Sequence, residues 1–282
     1  MENYITLFDS KYLPQGLALH ASLLRYGGQF TLWILCIDEQ CFQALSKFSL
    51  QNVRLLKLAS LESEKLLQAK RDRTIGEYCW TLTPFTFQFV FDMDANVDRV
   101  TYIDSDIWFR KSPSIIMDEF ELSEKKVLIT DHGYAPEYDQ SATSGQYCVQ
   151  FLTFKRDGAN EILNEWQTQC LQWCFNRHED GKFGDQKYLD QWPNKYPNLV
   201  HVLSREYLTL APWNASRFPY GNSVLWHFHA LKLYKNIDSS LMHINLCEGY
   251  PLLDVVKKHV YLPYLRDLAN AIKLIELHEG AQ

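Results

Sequence analysis

Apolar residues fall into two patterns along this chain: short runs of strand length, and longer stretches with helical spacing. "YITLF" (Tyr4–Phe8) and "TLWILCI" (Thr31–Ile37) are β-rich runs of the first kind. Between them, "LPQGLALHASLLRYG" repeats apolar positions at helical spacing and stops at Gly27 and Gly28, a helix C-terminal signal. A second amphipathic stretch, "CFQALSKFSL", and a further strand, "VRLLKL", follow. Strand, helix, strand, helix, strand predicts a parallel sheet with crossover helices. Ligands of such sheets sit beyond the carboxyl ends of the strands, near a switch in strand order.

Downstream, "LESEKLLQAK" reads as a helix and "EYCWTLTPFTFQFVFD" as another, with Pro84 near its start. "RVTYID" and "KKVLITD" (Lys125–Asp131) read as strands. "HGYAPEYDQSATSGQ" is polar and turn-rich, the best loop or lid candidate in the chain. "YCVQFLTF" is expected to be a strand and "GANEILNEWQTQCLQWCFNR" a long helix. After "HEDGKFGDQ" come a short helix, Pro- and Asn-rich connections, a strand "VLWHFH" and a closing helix, "YLPYLRDLANAIKLIELHEG". That helix carries Leu265, Leu268, Ile272 and Ile275 on one face. The stripe is expected to pack on its own domain, with a membrane surface or a second subunit as the alternative. No repeat or linker interrupts the pattern, so one compact α/β domain over residues 1–282 is expected.

Composition narrows the function. At 282 residues, 46% of them hydrophobic, the chain can bury a substantial core. A formal charge of -6 without a long basic run argues against nucleic acid as a partner. It also means that a strongly anionic ligand needs local cations or a metal. The N-terminal residues lack the basic and apolar regions of a signal peptide, and no apolar run reaches the roughly 18 residues of a membrane span. Seven cysteines, an odd number, then fit reduced thiols and a cytoplasmic location, with peripheral membrane contact still open. Cys170, Cys174 and His178 fall at i, i+4 and i+8 of an expected helix, as metal ligands could. Without a fourth ligand or a zinc-like spacing, buried core cysteines are the expectation.

The stretch "RVTYIDSDIWFRKSP" raises the chemical question, because an apolar run delivers two like charges, Asp104 and Asp106. On an extended chain, residues i and i+2 point to one side, so the two carboxylates converge at the strand's end. Close carboxylates repel unless something positive joins them, and a divalent cation with hard oxygen ligands does so. Such a cation, Mn²⁺ or Mg²⁺, suits stabilisation of a departing diphosphate. "VLWHFHALK" adds His227 and His229 on one strand face with Lys232 just after, an imidazole for the metal and an ammonium for a phosphate. In "FGDQKYLDQW", Asp185 and Gln186 sit at a helix start, where an aspartate alone can be an N-cap.

Asp-x-Asp after an apolar strand, then "FGDQKYL", then "HFHALK" resemble, in that order, the metal-dependent nucleotide-sugar glycosyltransferases of the GT-A fold. The pattern is similar to the retaining type that includes glycogenin and bacterial lipopolysaccharide galactosyltransferases, and it extends from the first strand to Lys232. The resemblance implies a Rossmann-like mixed sheet flanked by helices, with a nucleotide-binding part over about residues 1–110 and an acceptor-side part over about 111–282. It implies that Asp9 lies near the nucleotide base with Tyr12 in the same pocket, and that Arg73 approaches the nucleotide or donor sugar. Asp104 and Asp106 match the metal pair, Asp131 a donor-sugar contact, and Asp185 with Gln186 the pair near the anomeric carbon. The metal histidine is His227 or His229, and Lys232 matches a β-phosphate contact. The donor implied is a UDP-sugar, and the acceptor a glycan, lipid-linked or protein hydroxyl. Two departures stand out: Cys148 and Gln150 occupy "GQYCVQF" where the family reads Asn-Ser-Gly, and Ala230 replaces a glycine after the histidines.

Three rivals remain open at this level. A haloacid-dehalogenase-type phosphohydrolase would use Asp104 as its nucleophile, with "VLIT" and "GDQKYLD" as its other motifs, but its nucleophile strand normally opens the core. A sugar-nucleotide pyrophosphorylase needs a Gly-rich phosphate loop that "FDSKYLPQG" does not supply. A carbohydrate-binding module would account for the aromatics but not for aligned acids and histidines.

Overall fold

A computed structural model describes residues 1–235, 242–247 and 249–279. Its first half is the expected alternation: β1 (Glu2–Phe8), α1 (Leu13–Tyr26), β2 (Phe30–Cys36), α2 (Glu39–Ser46), β3 (Val53–Lys57), α3 (Glu64–Lys70), α4 (Ile75–Met93) and β4 (Arg99–Ile103). Then follow β5 (Ile107–Phe109), α5 (Ser114–Leu122), β6 (Val127–Asp131), α6 (Ser141–Ser144), β7 (Tyr147–Lys155), α7 (Asn160–Gln172), α8 (Trp192–Lys195) and β8 (Val200–Val202). The remainder comprises β9 (Thr209–Leu210), β10 (Leu225–His227), a hairpin of β11 (Lys232–Lys235) and β12 (Met242–Asn245), α9 (Asp254–Val256) and α10 (Leu262–Glu279).

The central sheet has seven strands in the order β3-β2-β1-β4-β7-β6-β8. β1 pairs in parallel with both β2 and β4, whereas β7 runs antiparallel to β4 and β6. Strands covered on both faces need apolar residues at nearly every position, and β1 and β7 are buried almost throughout. From β1 the chain runs outward to β2 and β3, then crosses back to lay β4 on the other side of β1. The switch in strand order therefore lies between β1 and β4, which opens a crevice beyond their carboxyl ends. Asp9 leaves β1 there, and Asp104 leaves β4.

Two helices show how the sequence sets this frame. α1 approaches β1 so closely that a Cβ on Gly16 would come within 2.3 Å of the Phe8 ring, so only glycine fits. α4 opens with a reciprocal cap in which the Thr74 N–H donates to Glu77 and the Glu77 N–H to the Thr74 hydroxyl. Pro84, expected near that helix's start, lies in its interior instead. The helix starts at Ile75 because Thr74 caps it together with Glu77, and Thr74 lies just outside the apolar run.

α7 is shorter than its pattern, ending at Gln172, with Trp173 extended. Cys174 and His178 therefore leave the helix, and the shared face expected for them with Cys170 does not form. Both cysteines are buried, and His178 stacks on Phe183 with ring centroids 4.5 Å apart. The C-terminal helix packs on its own domain through most of its expected stripe, while Ile272 is half-buried outside the core clusters. Leu268 and Ala271 are buried, and Leu265, Leu274 and Ile275 pack against the core clusters. Asp267 binds Arg25 of α1 and accepts from the Trp108 indole at 2.7 Å. No helix among the described residues is long and apolar enough to cross a membrane.

Candidate active site

The switch-point crevice is a cleft of about 700 Å³, within the range of small-molecule sites. Asp9, Tyr12, Asp104, Asp106, Asp185, Gln186, His227 and His229 all line it. They come from separate stretches of chain, so the sheet topology alone brings them together.

Asp104 and Asp106 form the turn between β4 and β5, and β10 pairs with β5 so that His227 stands opposite Ile107. His227 Nε2 lies 3.2 Å from Asp106 Oδ1 and 3.8 Å from Asp104 Oδ2. One ligand atom from each of the three falls within 4.8 Å of the others, the grouping a single cation requires. The donor set is two hard carboxylates and an imidazole, which fits Mn²⁺ or Mg²⁺. Solvent still reaches the two acids, whose side chains are 24% and 21% exposed.

Hydrogen bonds from behind hold this cluster in place. The Tyr102 hydroxyl donates to Asp104 Oδ1 at 2.9 Å, and His227 Nδ1 lies 2.8 Å from Gln150 Oε1. Desolvation pushes the Asp104 carboxyl above its usual range despite the His227 charge nearby, and the Asp106 charge adds to that rise. At Asp106 the same desolvation is outweighed by His227, which holds its pKa below the ordinary value. His227 is held well above the normal imidazole range, because Asp106 and Asp104 overcome the cost of its burial. β10 ends at His227, so His229 lies past the strand rather than on it. It faces the cleft beside Trp213, 5.2 Å between ring centroids, and is outside the three-ligand grouping.

Asp185 lies in the cleft in a different state. It is 2% exposed, and its Oδ2 has no hydrogen-bond partner among the described residues. Burial pushes its pKa up to about 7; the Thr83 hydroxyl opposes this and the Asp104 charge reinforces it. It makes no side-chain cap at the turn that follows, so an N-cap does not account for it. That turn, Gln186–Gln191, follows an irregular segment, not the apolar strand that would precede the late acidic pair of the phosphohydrolase alternative. Gln186 Nε2 donates to the Ser144 carbonyl at 2.8 Å, and Lys187 Nζ to the Ser141 carbonyl at 2.8 Å. These bonds tie the turn-rich segment after β6 to the Asp185 loop.

Three expected site residues lie elsewhere. Arg73 is buried against the end of α7, where its guanidinium donates to the carbonyls of Cys170, Leu171 and Cys174. It completes a helix C-terminus, and its charge is used there. Asp131 accepts from the Gly133 N–H at 2.7 Å and from Gln146 at 2.9 Å, which shapes the turn leaving β6 rather than the cleft. Lys232 begins the hairpin strand β11, is exposed, and is not among the cleft's lining.

The cleft also contains groups that motif spacing does not single out. Lys11 lies beside Asp9 and Tyr12. His132 stacks on Tyr134 with ring centroids 4.6 Å apart, and Trp213 meets both His132 and His227 edge-on. The Trp213 indole donates to the His132 carbonyl at 2.8 Å, which fixes this aromatic wall. Burial lowers the His132 pKa to about 3, so it is neutral.

No family model matches the chain. The chain is 33% identical to the uncharacterized protein YfnF of Bacillus subtilis over 220 residues, covering 75% of this chain and 71% of that protein. Bacillus subtilis YfnD, also uncharacterized, is 26% identical over 293 residues, covering 97% of this chain and 91% of that protein. Among solved structures, the galactosyltransferase LgtC with donor and acceptor sugar analogs superposes with a TM-score of 0.56 at 13% identity, covering 95% of each chain. Mouse xyloside xylosyltransferase 1 gives 0.54 at 12% identity, covering 81% of this chain and 98% of its own. The glycosyltransferase GlyE of Streptococcus pneumoniae gives 0.54 at 14%, covering 99% of this chain and 63% of its own. The chain therefore belongs to the family of Bacillus subtilis YfnF, and its fold is the GT-A fold of these glycosyltransferases.

Proposed function

We propose that this protein is a retaining glycosyltransferase that moves a sugar from a nucleoside-diphosphate sugar, a UDP-sugar by default, to an acceptor hydroxyl. One observation carries the reading: two aspartates and a histidine converge within 4.8 Å at the switch point of a sheet shared with glycosyltransferases. A divalent cation held by Asp104, Asp106 and His227 would neutralise the diphosphate as the glycosidic bond breaks.

The chain's own residues supply the rest. Asp9 and Tyr12, at the end of β1, hold the nucleoside. Lys11, the lysine lining the cleft among the described residues, shares the phosphate charge in the place expected of Lys232. Asp185 faces the sugar ring, where a carboxylate favours the positive charge that develops at the anomeric carbon. Gln186 braces the Ser141–Ser144 helix that closes the acceptor side. Retention follows if the acceptor oxygen attacks from the face that the diphosphate leaves. Half-buried Tyr134, backed by the buried His132 and Trp213, offers a ring surface in the cleft, which suits a saccharide acceptor. The seven cysteines are free in this structure, as a reducing cytoplasm would keep them.

The test uses a panel of UDP-sugars with Mn²⁺ and reads UDP release and the anomeric configuration of the product by proton NMR. Asp106→Ala is expected to abolish metal-dependent turnover, a loss of about 10³-fold or more. Full activity in that variant would refute the site, and an inverted product would refute retention alone.

A further inference from the structure

We propose that Gln150 is a positioning residue for the cation site, holding His227 in the tautomer whose Nε2 faces Asp104 and Asp106. The inference rests on the reading of that trio as a cation site.

Gln150 lies on β7, next to the end of β4, because Ile103 pairs with Phe151. It is fully buried and reaches both halves of the trio. Its backbone carbonyl accepts from the Asp104 N–H at 3.2 Å, while its side-chain Oε1 accepts from His227 Nδ1 at 2.8 Å. Gln150 thus links the turn bearing one aspartate to the strand bearing the histidine, and Cys148 also interacts with the His227 ring. Cys148, two residues earlier and on the same side of β7, lines the cleft beside them.

The hydrogen bond decides which nitrogen is available. With Nδ1–H donated to Gln150, the Nε2 position is the one that changes hands, bearing a proton against the carboxylates or a lone pair toward a cation. The Gln150 bond is identical in both cases, so no side chain needs to turn when a cation enters. Metal-ligating histidines commonly hold their second nitrogen this way, and loss of such a partner typically lowers metal affinity 10–100-fold. The Gln150 Nε2 has no partner among the described residues.

The experiment titrates Mn²⁺ alone into wild type, Gln150→Leu and Gln150→Glu, reading free Mn²⁺ by electron paramagnetic resonance, with melting curves in EDTA as a folding control. Gln150→Leu, which removes the acceptor, should weaken Mn²⁺ binding about 10–100-fold, and Gln150→Glu, which keeps it, should stay within about threefold of wild type. A folded Leu variant with wild-type affinity, or a folded Glu variant as weak as the Leu variant, would overturn the inference while leaving the cation site intact. If wild type binds no Mn²⁺, the cation site falls and the inference with it. Nitrogen-15 spectra of wild-type His227 with Mg²⁺ test the same tautomer without a variant. Protonated Nδ1 with bare Nε2 supports the assignment, and the opposite tautomer overturns it.

Discussion

Glu119 on α5 and Asp185 in the cleft are both carboxylates taken out of water, and the protein treats them in opposite ways. Glu119 is surrounded by donors: the Ser204 N–H at 2.6 Å, the Ser204 hydroxyl at 2.8 Å, Arg205 Nε at 2.8 Å and His201 Nε2 at 3.0 Å. Burial alone would raise its pKa, but these donors outweigh it and bring the value down to about 2. Asp185 is more deeply buried, yet one of its oxygens has no partner among the described residues, and its pKa rises to about 7. Burial sets the cost of charge, and donors decide whether that cost is met. Glu119 ties α5 to the segment after β8, where a satisfied charge holds two elements together. Asp185 is left unsatisfied where a ligand is expected, which is how a site differs from a structural salt bridge.

The sharpest way to break this contrast is Asp185→Asn under turnover. A carboxylate facing the sugar must be ionised to favour developing positive charge, so activity in wild type should rise with pH as Asp185 ionises. The rise should lie at or below about 7, the value to which burial and the Asp104 charge push its pKa, since a cation on Asp104 removes part of that push. Asp185→Asn should lower kcat by about 10²-fold or more and remove that limb of the pH profile. A variant that keeps both its rate and that rise with pH would assign the titration to another group and leave Asp185 a structural residue.

How much of this is legible in the sequence differs by region for a physical reason. In β1 through β4 strands and helices alternate along the chain, and β1, β2 and β4 are largely buried, so apolar runs and helical spacing locate each element to within a few residues. The Asp104–Asp106 pair is legible because a two-residue spacing on an extended chain forces convergence. Arg73 misleads because an arginine among carbonyls satisfies a helix end as readily as a phosphate, and nothing in "RDRTIGEYCW" reveals that α7 stops nearby. Gln150 is visible only as a departure from the family pattern. Its partner, His227, is 77 residues away, and only the pairing of β7 with β4 and of β10 with β5 makes them neighbours. The aromatic wall is hidden for the same reason: His132, Tyr134 and Trp213 lie in connections, where no periodicity marks a direction.

A second effect of Asp185 is on stability, and its sign is opposite to that of most aspartates. Its folded pKa, about 7, lies above its ordinary 3.8, so between those values the folded state holds a proton that the unfolded state has lost. Stability from this group is present at low pH and is lost as pH rises from about 4 to about 7. In EDTA at pH 8, Asp185→Asn should therefore be more stable than wild type, by about 1–3 kcal/mol after allowing for the buried amide's own needs. Near pH 4 the two proteins should unfold alike. Urea melts at both pH values check this, and a variant less stable than wild type at pH 8 would mean that the buried carboxylate is better satisfied than its free oxygen implies.

Glu119 supplies the smallest and most opposite effect. Its folded pKa, about 2, lies below the ordinary 4.5, so the unfolded state binds a proton first as acid is added. The stabilisation is complete above about pH 5 and is lost as pH falls toward 2. Because the group lies near the surface, solvent screening limits its worth, and Glu119→Gln should cost about 1–2 kcal/mol at pH 7. The gap between wild type and variant should close near pH 2, where the wild-type carboxyl is itself becoming neutral. Turnover per folded molecule should be unchanged, since none of Glu119, His201, Ser204 and Arg205 lines the cleft. Paired urea melts at pH 7 and pH 2, together with kcat at pH 7, measure both expectations. A fall in kcat comparable to that of Asp185→Asn would show that the well-satisfied carboxylate also serves the site, and the contrast between the two acids would collapse.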